Sequence, residues 1–346
     1  MSDRVTVDDD PREFTRWATA QGWGDGLPLI LPTPDVVLEF VTASGLPGDH
    51  VIAHLPPLRD VCTVEKLAIN AVMAGAAPEH MPLLVAAIEA MAEPAFNLAA
   101  LNATTGSVVP ALIVNGPSRD RLGIPYQAGC FGGQAGAAPA IGRALRLAMR
   151  NIAGQLIGVT SQSVFGQPGR VAGIVIGEWE ERSPWEPFAV RRAAVSGDAV
   201  SVYGAMGTTN ICDLVADTGP LLLEIIGKSM AYHGSNGFLT SSAFSETFVA
   251  INPVWAEIIA RDVPSILDVQ QIIWDHAAQP IDSWASQYRS SIEAADRIRA
   301  DGRVHLVQSP DDVFVVVCGG LGNLHAMTMP SWGDTVTQTK KVSAVG

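Results

Sequence analysis

Two cysteines carry the first chemical signal in this sequence. Cys130 sits in the glycine loop Gly129-Cys130-Phe131-Gly132-Gly133-Gln134-Ala135-Gly136, which leads into a helix-like stretch from Pro139 to Arg150. Unpaired N–H groups at a helix start would stabilise a thiolate there, so Cys130 is a candidate nucleophile. The alternative is a small buried side chain. Cys318 closes an apolar run beside Gly319-Gly320, and His325 follows it. That suggests a Cys–His arrangement, although the spacing fixes no geometry.

The charged candidates are Glu178 and Glu180, Arg143, Asp25, and the group Glu65, Lys66 and Asn70. Glu178 and Glu180 end a second apolar run and would share one strand face, which suits general acid–base work. The other reading pairs them with Arg191 and Arg192. Arg143 is the best anion anchor because its helix start already favours negative charge; Arg146 and Arg150 extend the same face. Asp25 stands among three glycines in Gly22-Trp23-Gly24-Asp25-Gly26-Leu27-Pro28. It is either part of a tight turn or pinned there to bind substrate or metal or to brace a site. Glu65 falls in the first turn of a helix capped by Thr63, and Lys66 and Asn70 share a face of that helix. Capping and a solvated edge would explain these three equally.

Asn102, Thr104 and Thr105 offer amide and hydroxyl groups without charge, suited to a carbonyl or carboxylate ligand or to capping. Asn115 ends the run Pro110 to Val114, just before Gly116-Pro117, where strand ends of α/β proteins face a ligand crevice. Taken together, Asp25, Glu65, Lys66, Cys130 and Glu178 are the candidate catalytic residues. Asn70, Asn102, Thr104, Thr105, Asn115, Arg143, Cys318 and His325 are candidates for holding substrate. All are expected around one pocket. No metal set is expected: His-Glu-x-x-His and Cys-x-x-Cys are absent, and His50 and His54 lie in an extended segment. Neither a phosphate loop nor Gly-x-Gly-x-x-Gly occurs, so the cofactor is left unknown.

These residues need an α/β frame. Near-continuous apolar runs over 108–114, 171–177, 247–251 and 313–317 read as strands buried on both faces. Helical patterns cover 12–20, 35–43, 64–75, 82–91, 139–150, 221–231, 254–260, 265–277 and 283–299. The runs ending at Asn115-Gly116-Pro117 and Asn252-Pro253 have the same strand–Asn–turn shape. The expectation is two related α/β halves, 1–192 and 193–346, with mainly parallel strands and a cleft between them.

The chain has 346 residues, 48% hydrophobic and 16% charged, which reads as globular with surface to bury in a homo-oligomer. A formal charge of -13 argues against nucleic acid. The acidic first residues do not form a secretory signal, and no apolar run is long enough to span a membrane. Four scattered cysteines suggest free thiols and a cytoplasmic setting.

Several stretches are similar to a group of bacterial proteins associated with small proteins that bear a UGSC motif (selenocysteine or cysteine, Gly, Ser, Cys). They are Gly22 to Pro28, Thr63 to Gly75, Ala103-Thr104-Thr105, Ile113 to Pro117, Ile141-Gly142-Arg143 and Ser183-Pro184-Trp185. The chain has no Cys-Gly-Ser-Cys of its own, so the resemblance implies a reactive thiol or selenol on a separate partner. The functional expectation is an enzyme for a small carbonyl- or carboxylate-bearing molecule, a lyase or hydrolase before an oxidoreductase, with thiol-assisted cleavage open. The alternative is a non-catalytic scaffold for the small partner.

Overall fold

The computed structural model describes residues 4–242 and 245–343. Residues 1–3, the start of the acidic N-terminal stretch, lie outside it. In chain order the strands are β1 Val51–Leu55, β2 Asp60–Thr63, β3 Val109–Asn115, β4 Ile174–Gly177, β5 Ala199–Ala205 and β6 Thr209–Cys212. Then follow β7 Thr247–Ile251, β8 Ala278–Pro280, β9 Arg303–His305, β10 Val313–Val317, β11 His325–Met329 and β12 Gln338–Lys341. β1 and β2 form a hairpin, as do β8 and β9; the rest build two four-stranded sheets, ordered β12-β5-β3-β4 and β10-β7-β11-β6.

The two sheets repeat one pattern. In the first, β3 runs parallel to β4 and antiparallel to β5, and β5 is antiparallel to β12. In the second, β7 runs parallel to β10 and antiparallel to β11, and β11 is antiparallel to β6. The chain is α/β, as its runs of apolar residues imply. The strands are mixed, however, and not mainly parallel. A parallel return needs a crossover of roughly a dozen residues or more; the segment 318–324 between β10 and β11 is too short and turns the chain back antiparallel.

The last strand of each repeat is exchanged. β6 follows β5 in the chain but joins the second sheet, and β12 follows β11 but joins the first. A boundary at 192/193 therefore falls between β4 and β5, two strands of one sheet, and the halves are interleaved.

Among the described residues the two sheets pack face to face through one apolar layer, not across a cleft. Ala111, Ile113, Ile176 and Tyr203 meet Phe248, Ala250, Phe314, Val316 and Met329 in one apolar layer. Tyr203 and Phe248 pack with ring centroids 5.8 Å apart, and the buried Tyr203 hydroxyl donates to Met329 O at 2.8 Å. The outer face of the first sheet, with Leu112, Val114, Val200 and Val202, is covered by the helices Val64–Ala74, Met81–Ala92 and Ala138–Asn151. Val249, Ile251, Val313, Val315 and Val317 are covered by Gly219–Met230, Pro253–Asp262 and Ile266–His276. The result is four layers, helix–sheet–sheet–helix. Strands buried on both faces must be apolar throughout, which is why these runs lack a period of two. Among the described residues no single helix is long and apolar enough to cross a membrane.

Candidate active site

The carboxyl ends of β3, β4 and β10 meet at one edge of the sandwich. β4 runs on into Glu178, whose N–H donates to Val114 O at 3.1 Å, and the next N–H, of Trp179, donates to Val317 O at 2.6 Å. The backbone after β4 thus stitches the two sheets together. The chain after β10 turns at Gly319, in the left-handed region at φ 100°, where other residues are strained. Gly319 N–H donates to Tyr126 O at 2.9 Å. A Cβ on Gly320 would approach the Ala128 Cβ to 3.2 Å, so the loop after β10 lies against the loop that carries Cys130.

Those two loops bring the free, buried thiols Cys130 and Cys318 into one packed cluster, close enough for each to shift the other's ionisation. The pair is 188 residues apart in sequence (318 minus 130). Their environments push them in opposite directions. The neighbouring Cys318 lowers the Cys130 pKa; burial opposes this, and the backbone N–H groups of Cys130, Phe131 and Gly319 add to the lowering. Cys318 is pushed well up, first because its proton is held by Cys130, then by burial and by the charges of Cys130 and Glu178. Cys130 is the thiolate-forming partner and Cys318 holds the proton.

Glu178 stands behind the pair, with no exposed surface. Oε2 accepts from Asn115 Nδ2 and from Phe188 N–H, both at 2.6 Å, whereas the buried Oε1 has no hydrogen-bond partner among the described residues. Burial pushes its pKa up to about 7, against the lowering effect of Arg191, Phe188 N–H and Asn115. Arg191 does not cancel the burial because its Nη2 is 4.0 Å from Oε1 and is already bonded to Val315 O at 2.6 Å. A proton on Glu178 belongs on Oε1, since Oε2 is filled by two donors.

Asn115 fixes the carboxylates. Its Nδ2 donates to Glu178 and, at 2.8 Å, to Glu180 Oε1, which also accepts from Gly116 N–H at 2.7 Å. Glu178 and Glu180 therefore share one amide rather than forming two arms of an acid–base pair. Arg192 goes elsewhere, to Glu246 at 2.8 Å. The buried Arg119 closes the base of the site: it donates to Glu178 O, to Gly116 O at 3.0 Å and to Glu181 Oε1 at 2.5 Å, and lies 4.8 Å from the Tyr126 ring centre.

The remaining candidates do not join this group. Asp25 and Arg143 meet in a bidentate ion pair, 2.7 and 2.8 Å, with side chains only 14% and 12% exposed. Arg150 donates to Gly22 O at 2.9 Å, and Asn151 donates to Trp23 O at 3.2 Å and to Asn70 Oδ1 at 2.8 Å. Asn70 donates to Lys66 O at 2.9 Å. These bonds strap the Gly22–Pro28 loop to the helices Val64–Ala74 and Ala138–Asn151, so Asp25, Asn70 and Arg143 act as a brace. Glu65 is half-buried at its helix start, and Lys66 pairs with Asp60 at 3.0 Å on the surface. Asn102 is buried between Pro56 O at 2.7 Å and Gln155 Nε2 at 2.8 Å. Thr104 Oγ1 accepts from Gly106 N–H at 3.2 Å, and Thr105 is exposed. His325 is exposed at the start of β11, so the Cys318–His325 arrangement is not formed; Cys318 meets Cys130 instead. The single pocket is thus not formed: Asn115, Cys130, Glu178 and Cys318 come together at one place, Asp25, Asn70 and Arg143 at another, and the other candidates join neither. Among the described residues, no three His, Cys, Asp or Glu side chains converge to hold a metal ion.

Arg119 and the proximity of the two thiols escaped the sequence reading, whereas Arg191, named there as an alternative partner of the glutamates, lies 4.0 Å from Glu178 Oε1. The available signal was the repeat itself: Ile174-Val175-Ile176-Gly177-Glu178 and Phe314-Val315-Val316-Val317-Cys318 align strand for strand. Fold and site together define an α/β protein with a buried dithiol backed by a carboxyl group. No family model matches the chain, and no curated protein matches it by sequence.

Proposed function

We propose that this chain is an enzyme of thiol-assisted bond cleavage that uses Cys130 and Cys318 as a dithiol on a small molecule. Cys130 is the outer thiol, only 4% exposed, so the electrophile that reaches it is small. The Cys130 thiolate attacks one atom X of an X–Y bond, and Y leaves with a proton. Glu178 takes the Cys318 proton on Oε1. The Cys318 thiolate then attacks Cys130 Sγ and releases X, which takes up that proton. The substrate gains two electrons and two protons, and the chain is left with a Cys130–Cys318 disulfide. An external thiol reduces it. The bond X–Y is one whose X can leave from sulfur, such as a disulfide.

The observation that carries this reading is the packing of the Cys130 loop on the loop after β10, which puts two buried free thiols in one cluster, with the buried Glu178 carboxyl at the adjoining strand end; the two thiols are pushed in opposite directions. The second thiol favours reductive cleavage over the lyase or hydrolase reading, because a lone nucleophile would serve those reactions. Both thiols lie on this chain, so the reading needs no cysteine from a UGSC-type partner.

The test is a single turnover of the reduced chain with a small aromatic disulfide, in a Cys212→Ser background because Cys212 is exposed. The intact pair should release two aromatic thiols per chain and form an internal disulfide. Cys318→Ala should release one and hold a stable mixed disulfide, and Cys130→Ala should lose the fast phase. One thiol released from the intact pair, with no internal disulfide by mass, would sink the reading.

A further inference from the structure

Two arginines at the opposite end of the first sheet lack the charge they need. Arg146 lies near the end of Ala138–Asn151, and Arg170 lies in the short helix Gly169–Ala172 just before β4. They are 8% and 9% exposed. Arg146 donates to Arg170 O at 3.2 Å and to Gln155 Oε1. Arg170 donates to Ser161 Oγ and to Gly106 O, both at 3.3 Å. Every one of these acceptors is neutral. Two donors, Arg146 Nη1 and Arg170 Nε, are buried without any hydrogen-bond partner among the described residues.

We propose that Arg146 and Arg170 form a binding site for a small oxyanion, a carboxylate or a phosphate group, that bridges Arg146 Nη1 and Arg170 Nε. A planar guanidinium presents its donors as a fork matched to such groups. Buried arginines without a partner charge are strongly unfavourable, and proteins bury them where an anion compensates. Burial lowers Arg146 to about 9, helped by the positive charge of Arg170, and burial lowers Arg170 to about 10; no carboxylate among the described residues offsets either. The uncharged patch around Asn102 belongs here. Asn102 Oδ1 accepts from Gln155, the same side chain that holds Arg146, and Gly106 follows Thr104 and Thr105 directly.

The site is distinct from the dithiol. Arg170 and Gly106 lie before the amino ends of β4 and β3, whereas Asn115 and Glu178 lie at the carboxyl ends. A strand of seven residues separates those ends by about 20 Å. The anion is therefore a second ligand, or the remote end of a long one, and its binding is measurable without any thiol chemistry.

The test titrates the full chain, in low-salt buffer, with inorganic phosphate and separately with succinate, reading thermal unfolding and heat of binding. Sodium chloride at matched ionic strength is the control. One of the two should raise the unfolding temperature saturably with one site per chain, and which one does so names the source. Arg170→Gln should weaken that binding at least tenfold. Arg146→Met should abolish it and, without anion, unfold at no lower temperature than the parent, because it removes an uncompensated charge. If Arg146→Met does not fold, Arg170→Gln decides. No saturable response to either probe, or an undiminished response in Arg170→Gln, overturns the proposal.

Discussion

Glu178 and Cys318 occupy equivalent positions in the two repeats. Each is the first residue beyond the strand that runs parallel to the central one. Each donates its N–H at 3.1 Å to the last apolar residue of that central strand, Val114 for Glu178 and Ile251 for Cys318. The following residues, Asn115 and Asn252, are equivalent in turn. The repeat has placed a carboxyl in one half and a thiol in the other, and the face-to-face packing of the sheets sets them side by side. An acid and a thiol are thereby taken from distant parts of the chain without any local motif.

Glu178 gives the stability of the protein a sign-specific pH dependence. Its folded pKa is raised from 4.5 to about 7, so the folded state keeps a proton that the unfolded chain releases. The associated stability is full below pH about 4.5 and is lost as pH rises through about 7. The contribution is on the order of 3 kcal/mol. Urea denaturation of Glu178→Gln should show this slope removed, with the variant more stable than the parent at pH 8. Parallel curves for the two proteins would contradict the burial argument.

Cys130 should alkylate with a pH midpoint below that of an ordinary thiol, because Cys318 and three N–H groups hold its thiolate. Removing the S–H donor in Cys318→Ala should move that midpoint up. Iodoacetamide rates followed by peptide mass spectrometry measure both. Cys62 supplies an internal comparison: burial pushes its thiol up to about 12, and it should stay unlabelled in the folded chain.

The Asp25–Arg143 pair should matter for stability rather than for chemistry. Although burial works to raise the Asp25 pKa, Arg143 and the Leu27 N–H outweigh it and hold the carboxyl low. Its stability contribution is therefore present above the usual carboxylate range and is lost as pH falls. Asp25→Ala leaves Arg143 buried without its partner and should cost about 2–4 kcal/mol. Lys66→Ala removes a half-exposed pair with Asp60 and should cost about 1 kcal/mol at most. Alkylation rates of Cys130 should be unchanged in both; a slowed Asp25→Ala would tie the brace to the site.

Gly142 marks a close approach of the Ala138–Asn151 helix to the turn at Ala172–Gly173, just before β4. A Cβ there would fall 2.1 Å from Ala172 O and 2.8 Å from Gly173 Cα. Both obstacles are backbone, so the helix must shift as a body. Gly142→Ala should destabilise by about 1–3 kcal/mol by denaturant titration. Equal stability would mean that the helix sits farther from the turn at Gly173.

The sequence by itself determined the apolar strands, the caps and the glycine turns, because these depend on neighbours in the chain. β3, β7 and β10 were legible from unbroken runs, and the turn at Asn252 from its place after one of them; that Asn252 also caps the next helix, accepting from Trp255 N–H, is a feature of the structure. Cys318, Glu178 and Asn115 stood out as polar groups at the ends of such runs, and Cys130 by its place in a glycine loop. Other features were decided only in three dimensions. β6 and β12 are short edge strands without a continuous apolar run, so nothing local announced that they would be exchanged between sheets. The Cys130–Cys318 contact, the Asp25–Arg143 brace and the bare Arg146–Arg170 pair each join segments that packing alone brings together. Burial and desolvation are set by the assembled layers, and they turn an ordinary carboxyl at Glu178 into one that titrates near neutrality.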